Sequence, residues 1–274
     1  MVNLTIMNNS LRKLIVIAFL TFFAVFVWGI FWHNSSLFGH TLYRGPQKVN
    51  QVALTFDDGP HPQFTPLILD ILRDKNVKAT FFCVGYLAQK YPDIVKRIQE
   101  EGHLVASHSY EHNYKVNFWG PNRVSQSLIH TGKVLNEITG YIPRFYRAPI
   151  GIRTPAQGVA VRRLGMTFVG WSSWTFDGGN RFLEKHKVEK LVAQTQNGKI
   201  FLLHDGKLSA DGTIMENGKQ KSALSNNLPL LIEKLKKKGF SFVTIENMFD
   251  ISGSIDPELW KNEKLAKRSK FSLR

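Results

Sequence analysis

Five polar side chains in this sequence have the types and the spacing of a hydrolytic metal site. Two adjacent aspartates, Asp57 and Asp58, come first, and His108 and His112 follow with three residues between them. His204 comes last. Carboxylate and imidazole groups bind divalent cations, and those that are not ligands can move protons. The set therefore predicts metal-assisted hydrolysis of an amide or an ester.

The histidine pair is expected to share one metal ion. At positions i and i+4 of a helical turn, the two side chains would face the same side. A hydrolytic site needs a third protein ligand and an open position, and Asp58 is the candidate ligand. Asp57 is then left as the general base. Taken alone, the segment DDGP would be an ordinary turn, but its combination with the histidines favours the functional interpretation.

Arg147 and His204 each follow a short apolar segment. A single histidine in such a place is often a core residue, but a position near the metal favours a general acid. Arg147 lies before a proline turn in FYRAPIG, where a buried guanidinium would pair with a carboxylate, either Asp57 or Asp177. Four other histidines are expected to be surface or structural residues: His61, His103, His130 and His186.

β-like runs alternate with amphipathic helical patterns along most of the chain. The predicted strands are 52–56, 79–84, 104–107, 144–147, 166–170, 199–203 and 241–245. The predicted helices are 66–75, 92–101, 123–139, 155–164 and 227–238, and Thr65 is expected to cap the first of them. This alternation predicts an α/β fold with a parallel sheet, in the form of a (β/α) barrel that is complete or incomplete.

The candidate residues all follow predicted strands. In an α/β barrel the carboxyl ends of the strands converge on one face, where active sites lie. We therefore expect a single site at that face. Its expected members, in chain order, are Asp57, Asp58, His108, Arg147, Trp171, Trp174 and His204.

Residues 14–32 form an uncharged apolar run of 19 residues. As a helix this run would span about 28 Å, close to the thickness of a bilayer core. Arg12 and Lys13 precede it, and the positive-inside rule leaves them in the cytoplasm and the rest of the chain outside. A cleaved signal peptide is the alternative. Its apolar region would be shorter and would end in small residues, so an uncleaved anchor is expected.

The sequence thus predicts a cytoplasmic N-terminus (1–13), a transmembrane anchor (14–32), a connector (33–50), a catalytic domain (51–250) and a basic tail (251–274). The net charge of +15 suits contact with anionic surfaces. No signature of a nucleic-acid-binding module accompanies this charge, and neither nucleic acid nor a protein partner is expected. Cys83 is the only cysteine, so the chain forms no internal disulfide.

The ordered segments TFDDGP, HSYEH, RAPIG and LLHD resemble the motifs of the polysaccharide deacetylases of carbohydrate esterase family 4. The resemblance covers roughly residues 51–249. It implies a distorted (β/α) barrel that removes N-acetyl groups from amino sugars. The roles it implies are Asp57 as base, Asp58, His108 and His112 as metal ligands, Arg147 as the residue that orients the base, His204 as acid, and Leu202 in the acetyl pocket.

Two segments depart from the pattern of this family. Ile150 stands in RAPIG where many relatives carry an aromatic residue, so a side-chain contact to the sugar is lost. The segment GWSSWTFDGGN lacks the commoner Asp-Trp adjacency. It offers Asp177 as a partner of Arg147, and Trp171 or Trp174 as a wall of the pocket.

Together these parts predict a metal-dependent hydrolase that deacetylates a cell-envelope or extracellular glycan, peptidoglycan or chitin-like. Asp57 would take the proton of the attacking water, the backbone N–H of Ala148 would stabilise the oxyanion, and His204 would protonate the leaving amine. Zinc is the expected metal, with cobalt or nickel as alternatives. The anchor predicts a single-pass membrane protein whose catalytic domain is extracytoplasmic.

Two other functions fit parts of the sequence. The same chemistry would serve a deacetylase or deformylase of a lipid-linked envelope sugar, because the anchor would hold the site near the membrane. A non-catalytic glycan-binding module is the second alternative. A binder, however, has no use for both a base and an acid.

Overall fold

The computed structural model describes residues 9–32, 34–174, 184–206, 218–256 and 260, and for 218–225 it describes the backbone alone. The strands are β1 (Thr41–Leu42), β2 (Gln51–Asp57), β3 (Thr80–Cys83), β4 (Leu104–Ser107), β5 (Ile142–Pro143), β6 (Phe145–Tyr146), β7 (Thr167–Val169), β8 (Ser173–Trp174), β9 (Lys199–His204), β10 (Ser241–Phe242) and β11 (Ser254–Ile255). The α-helices are α1 (Asn9–Phe31), α2 (Phe64–Asp74), α3 (Gly85–Lys90), α4 (Pro92–Glu100), α5 (Pro121–Thr139), α6 (Pro155–Arg163), α7 (Lys185–Gln194), α8 (Gly218–Lys237) and α9 (Ile245–Phe249). Short 3₁₀ helices, Tyr114–Phe118 and Pro149–Gly151, follow β4 and β6.

A curled parallel sheet lies at the centre. Its strand order is β1-β7-β6-β4-β3-β2-β9-β8, with β10 beside β2. All seven predicted strands take part, and the two-residue strands β1 and β8 extend the sheet at its ends. The predicted distorted (β/α) barrel is confirmed, and it takes the form of a half-barrel.

The sequence of β2 explains how the sheet presents its polar residues. One set of alternate side chains packs under the outer helices: Val52, Leu54 and Phe56. Ala53 belongs instead to the cluster that fills the inner face, with Phe82 and Ile200. Because successive side chains of a strand point to opposite faces, Thr55 and Asp57 share the inner face with Ala53. Asp57 is the last residue of β2 and therefore lies at the carboxyl edge of the sheet.

The start of α2 differs from the prediction. The helix begins at Phe64, and Thr65 is not its cap. The Nδ1 atom of His61 accepts hydrogen bonds from the backbone N–H groups of Gln63 and Phe64, so it satisfies the first donors of the helix. The hydroxyl of Thr65 is then available to donate to Asp205 at 2.6 Å.

The last predicted strand is shorter than expected. It ends at Phe242, and Thr244 caps α9 by accepting a hydrogen bond from the N–H of Asn247. Ile245 and Met248 of α9 are buried against the inner cluster. The apolar pattern that predicted a strand therefore continues as a short helix.

The sheet and its surroundings use residues on both sides of the predicted catalytic domain. β1, within the predicted connector, pairs with β7. β11, within the predicted tail, pairs antiparallel with β5, and the indole N–H of Trp260 donates to the carbonyl of Leu164 at 2.9 Å. The basic residues of the tail lie outside the described residues.

α1 is 23 residues long, with a mean hydropathy of 2.7 in its apolar window. By length and composition it could cross a membrane, although a signal sequence has the same properties. Its last turns contact the segment that follows. Gly29 packs against Leu37 and Phe38, and the ring of Phe26 meets that of Phe38 edge-on.

Candidate active site

Arg147 is buried beside Asp57 at the carboxyl edge of the sheet. Its Nη1 donates to Oδ1 of Asp57 at 2.6 Å and to Oγ1 of Thr55 at 2.7 Å, and its Nη2 donates to the carbonyl of Gly170 at 2.9 Å. The guanidinium also stacks on the ring of Phe82 at 4.1 Å. Burial lowers the pKa of Arg147 and the Asp57 carboxylate opposes that shift, so the guanidinium stays charged.

The structure thus pairs Arg147 with Asp57, one of the two carboxylates that the sequence offered. The other, Asp177, lies outside the described residues. Sequence reasoning assigned no role to Thr55, although it stands in TFDDGP. Its hydroxyl accepts from Arg147 and donates to the carbonyl of Phe201 at 2.6 Å, which ties the ion pair to β9.

The side chains of Asp58, His108 and His112 come together next to this ion pair. Oδ1 of Asp58 lies 3.1 Å from Nε2 of His112 and 3.4 Å from Nε2 of His108. The three donor atoms lie within 4.8 Å of one another. Tetrahedral Zn²⁺ with ligand bonds of about 2.1 Å separates its donors by roughly 3.4 Å. The spacing and the chemistry of the three donors therefore fit a divalent cation.

The protonation states of this cluster also suit a cation. Burial alone would raise the pKa of Asp58, but the nearby His112, His108 and His204 lower it well below its usual value. Burial lowers the pKa of His112, although the Asp58 carboxylate opposes that shift. An anionic carboxylate and a neutral imidazole are the forms that bind a metal.

The two histidines do not lie on a helical turn, so that part of the prediction is wrong. Residues 108–112 form an irregular bend in which Ser109 has a φ of 68°. The hydroxyls of Ser109 and Tyr146 lie 3.1 Å apart in the interior and hold this bend. Here a loop conformation, and not a helical turn, places the two imidazoles on the same side although they are four residues apart.

A hydrogen bond to a backbone carbonyl orients the imidazole of His108. Nδ1 of His108 donates to the carbonyl of Arg147 at 2.8 Å, which leaves Nε2 to face Asp58. Ligand histidines commonly use their second nitrogen in this way. Nδ1 of His112 is buried and has no hydrogen-bond partner among the described residues.

His204 lies on the strand next to that of Asp57. The two residues are paired in the register of β2 and β9, and His204 is partly exposed at the edge. Its neighbour Asp205 is buried, accepts the hydrogen bond of Thr65, and contacts Gly59 so closely that a β-carbon there would lie 2.1 Å from Oδ2. The loop that follows β2 and carries Asp58 is thereby fixed against the end of β9.

Asp205 was missed by the sequence reasoning, although it stands in LLHD directly after an apolar strand. Burial raises its pKa to about 7, and the carboxylates of Asp58 and Asp57 add to this effect while Thr65 opposes it. Its position links three segments: the turn at Gly59, the start of α2, and β9.

The predicted pocket residues occupy two parts of the same edge. Trp174 is paired in register with Leu202, and both are at least partly exposed. Trp171 packs against Gly151 and lies 5.8 Å from the guanidinium of Arg147. Ala148 is buried at the start of the neighbouring 3₁₀ helix. Contact of these residues with a substrate stays a prediction.

This chain is similar to several known deacetylases. Residues 44–169 match the family model described as polysaccharide deacetylase. A peptidoglycan-N-acetylglucosamine deacetylase of Bacillus cereus is 36% identical over 212 residues, which are 77% of this chain and 72% of that protein. A chitooligosaccharide deacetylase of Azorhizobium caulinodans is 33% identical over 164 residues, 60% of this chain and 77% of the relative.

A solved structure agrees with these relatives. The Bc1960 peptidoglycan N-acetylglucosamine deacetylase, in complex with 4-naphthalen-1-yl-N-hydroxybenzamide, aligns with a TM-score of 0.70 and 34% identity. The alignment covers 78% of this chain and 95% of that one. The matches identify a hydrolase of carbon–nitrogen bonds that acts on a glycan, and the chain belongs to the polysaccharide deacetylases of carbohydrate esterase family 4.

Proposed function

We propose that the chain is a metal-dependent N-deacetylase of an envelope glycan, with peptidoglycan as the leading substrate class and chitin-like oligomers as the next. The main support is the meeting of Asp58, His108 and His112 beside the buried pair of Asp57 and Arg147. Relatives named as peptidoglycan deacetylases favour the leading substrate. A non-catalytic glycan binder would not need this combination of groups.

Asp58, His108 and His112 would hold the cation, with zinc as the first choice and cobalt or nickel as alternatives. A bound divalent cation supplies a Lewis acid and makes water more acidic. The carboxylate of Asp57 would take the proton of the attacking water. The ion pair with Arg147 holds the Asp57 carboxylate in place.

His204 would complete the reaction from the neighbouring strand. Its proton would pass to the nitrogen of the sugar as the carbon–nitrogen bond breaks, because a free amide anion is a poor leaving group. The backbone N–H of Ala148 is the proposed donor to the oxyanion. Leu202 and the tryptophans Trp171 and Trp174 would enclose the acetyl group.

α1 is proposed as an uncleaved membrane anchor with the catalytic domain outside the cytoplasm. Its length and hydropathy support this role, as do Arg12 and Lys13 before the apolar run. Its packing on Leu37 and Phe38 adds support, since a segment that is removed has no need of contacts with the mature domain.

The test is acetate release by the purified full chain after chelation and after return of zinc, cobalt or nickel. The substrates are peptidoglycan fragments, chitin oligomers and an N-acetylated lipid-linked sugar. We expect activity only with metal and highest on peptidoglycan fragments. Activity that survives both chelation and Asp58→Asn would exclude the proposed metal chemistry. Preference for the lipid-linked sugar would replace the proposed substrate and leave the chemistry standing.

A further inference from the structure

The outer end of α1 is bonded to the loop that follows the 3₁₀ helix Pro149–Gly151. The backbone N–H of Arg153 donates to the carbonyl of Ile30 at 3.1 Å. The guanidinium of Arg153 donates to the carbonyl of Trp32 and, at 2.7 Å, to the hydroxyl of Thr41. The last carbonyls of a helix lack intrahelical partners and carry the negative end of the helix dipole. Arg153 therefore acts as a cap on α1.

Because Arg153 is buried, its guanidinium depends on these hydrogen-bond acceptors. The residue is 5% exposed, and in the described part of the chain no carboxylate pairs with its guanidinium. Burial lowers its pKa to about 10, so the group remains charged at neutral pH. A buried cation without its acceptors is costly. Separation of α1 from the domain would remove the carbonyls of Ile30 and Trp32 from it.

Close packing reinforces the same junction. Phe38 lies between α1 and α6: its ring meets that of Phe26, with 5.6 Å between the centroids, and its backbone carbonyl touches Gly158. A β-carbon at Gly158 would lie 1.8 Å from that carbonyl oxygen. A β-carbon at Gly29 would lie 2.3 Å from Leu37. The helix and the domain thus meet through two glycines, and this leaves little room for α1 to swing.

Two large apolar side chains are exposed near this junction, on a rim formed by the two 3₁₀ helices that follow β4 and β6. Ile150 is 58% exposed, and its φ of 60° holds the side chain in a strained loop conformation. Phe118 is 85% exposed, at the end of the 3₁₀ helix Tyr114–Phe118. That helix contacts the 3₁₀ helix of Ile150.

We infer that this rim is an interface with the lipid bilayer, into which Phe118 and Ile150 insert. The inference rests on the proposed membrane span. Trp28 and Trp32 then lie at the outer headgroup level, where aromatic residues anchor a span. Ile150 lies three positions before Arg153, which is bonded to α1 there, so Ile150 is held within about 10 Å of the same level. A membrane surface accommodates exposed apolar residues at that depth.

Fluorophores attached to single cysteines test the orientation. Cys83 is buried, so an added cysteine is labelled selectively, and the unaltered chain gives the background. The label is placed at Phe118→Cys, Ile150→Cys or Asp74→Cys. Asp74 is the matched control, because it is the last residue of α2, which runs from the carboxyl edge of the sheet toward the amino ends of the strands.

The full chain is reconstituted in vesicles of phosphatidylcholine and phosphatidylglycerol that contain a headgroup-proximal spin-labelled lipid. We expect the label at 118 and at 150 to lose about half its emission, because insertion reaches the shallow quencher, while the label at 74 keeps its emission. Equal emission at all three positions in vesicle-bound protein would overturn the inference. Failure of the chain to float with vesicles would instead refute the proposed span on which the inference rests.

Arg153→Gln tests whether the cap that Arg153 forms on α1 sets the orientation of the domain. In the Ile150→Cys background we expect quenching to fall toward the value at 74 while the protein stays in the vesicles. Arg153→Lys retains the charge and should retain part of the quenching. Unchanged quenching in a folded Arg153→Gln protein would show that Arg153 does not set the orientation of the domain on the membrane. If that variant does not fold, the labels in the protein with Arg153 intact still decide the orientation.

Discussion

At the scale of single residues, the site depends on a charge that is kept away from water. The guanidinium of Arg147 is satisfied by Asp57, Thr55 and the carbonyl of Gly170. A buried pair that loses one partner typically costs 3–5 kcal/mol, because the other charge is left uncompensated. The Asp57 carboxylate is therefore held in position before any substrate arrives, as its proposed role as the base requires.

The adjacent aspartates should separate metal binding from proton transfer. We expect Asp57→Asn to retain bound metal and to lose turnover by at least ~10²-fold, because it removes a base and not a ligand. The matched variant Asp58→Asn should lose the metal. Metal content is measured by mass spectrometry of the purified proteins, and turnover by acetate release. An Asp57→Asn protein without metal would mean that the two roles are exchanged.

His204→Ala should impair amide cleavage far more than ester cleavage. An amine needs a proton before it departs, whereas an activated phenolate leaves without one, so only the amide depends on an acid. The variant and the unaltered protein are compared on an N-acetylated glycan and on an aryl acetate at equal metal content. Equal losses on the two substrates would assign His204 a structural or metal-binding role.

Much of the site could be predicted from the sequence, because each motif follows an apolar strand and parallel strands end at one edge. The bend around Ser109 could not be predicted, since a spacing of four residues fits a helix and this loop equally well. The bond between Thr65 and Asp205 joins residues 140 positions apart, and local patterns carry no information on such a pair. His61 was expected to be a surface or structural residue, but its role as a cap could not be predicted because that role depends on where α2 begins.

At the scale of elements, the alternation of strands and helices predicted the sheet well. The errors fall on the shortest pieces. β1 and β8 have two residues each, too few to show a period of two. The run that ends at Ile245 was apolar enough for a strand, but Thr244 caps a helix there and Ile245 packs against the inner cluster.

His103 joins two elements and should make the fold sensitive to acid. Its Nδ1 accepts the backbone N–H of Ala79 at 3.1 Å, and burial, together with Lys78 and Arg97, lowers its pKa from 6.5 to about 4. The unfolded chain takes up this proton near pH 6.5 and the folded chain near pH 4. Stability is therefore present above pH 6.5 and is lost as the pH falls toward 4, by on the order of 3 kcal/mol.

His103→Asn keeps an acceptor for Ala79 and removes the titration. Denaturant unfolding between pH 7 and pH 4 should show a smaller loss of stability in this variant than in the unaltered protein. His186→Asn is the control, since His186 is exposed and its replacement should leave the slope unchanged. Parallel pH profiles for His103→Asn and the unaltered protein would contradict the assignment.

At the scale of the whole molecule, α1 should remain part of the mature protein. The expressed chain should stay in the membrane fraction after carbonate extraction. Mass spectrometry of the protein in that fraction should show that α1 is still present. The control is the double variant Asn34→Ala and Ser36→Ala, which places an A-x-A pattern after the apolar run and should be cut by signal peptidase. Release of the unaltered chain as a shortened soluble form would exclude the anchor.

Nine residues of sequence join α1 to β1, and 34–40 among them lie folded against the domain, where the carbonyl of Phe38 touches Gly158. A domain of roughly 220 residues is about 45 Å across, so with α1 as the proposed anchor the enzyme would work within that height of the bilayer. Glycan in outer layers would then lie beyond its reach. Sugars would therefore lose their acetyl groups early, when new strands are still beside the membrane. The deacetylated sugars would then move outward as the layer grows. The fraction of sugars that are deacetylated at each depth would therefore reflect the age of the material there.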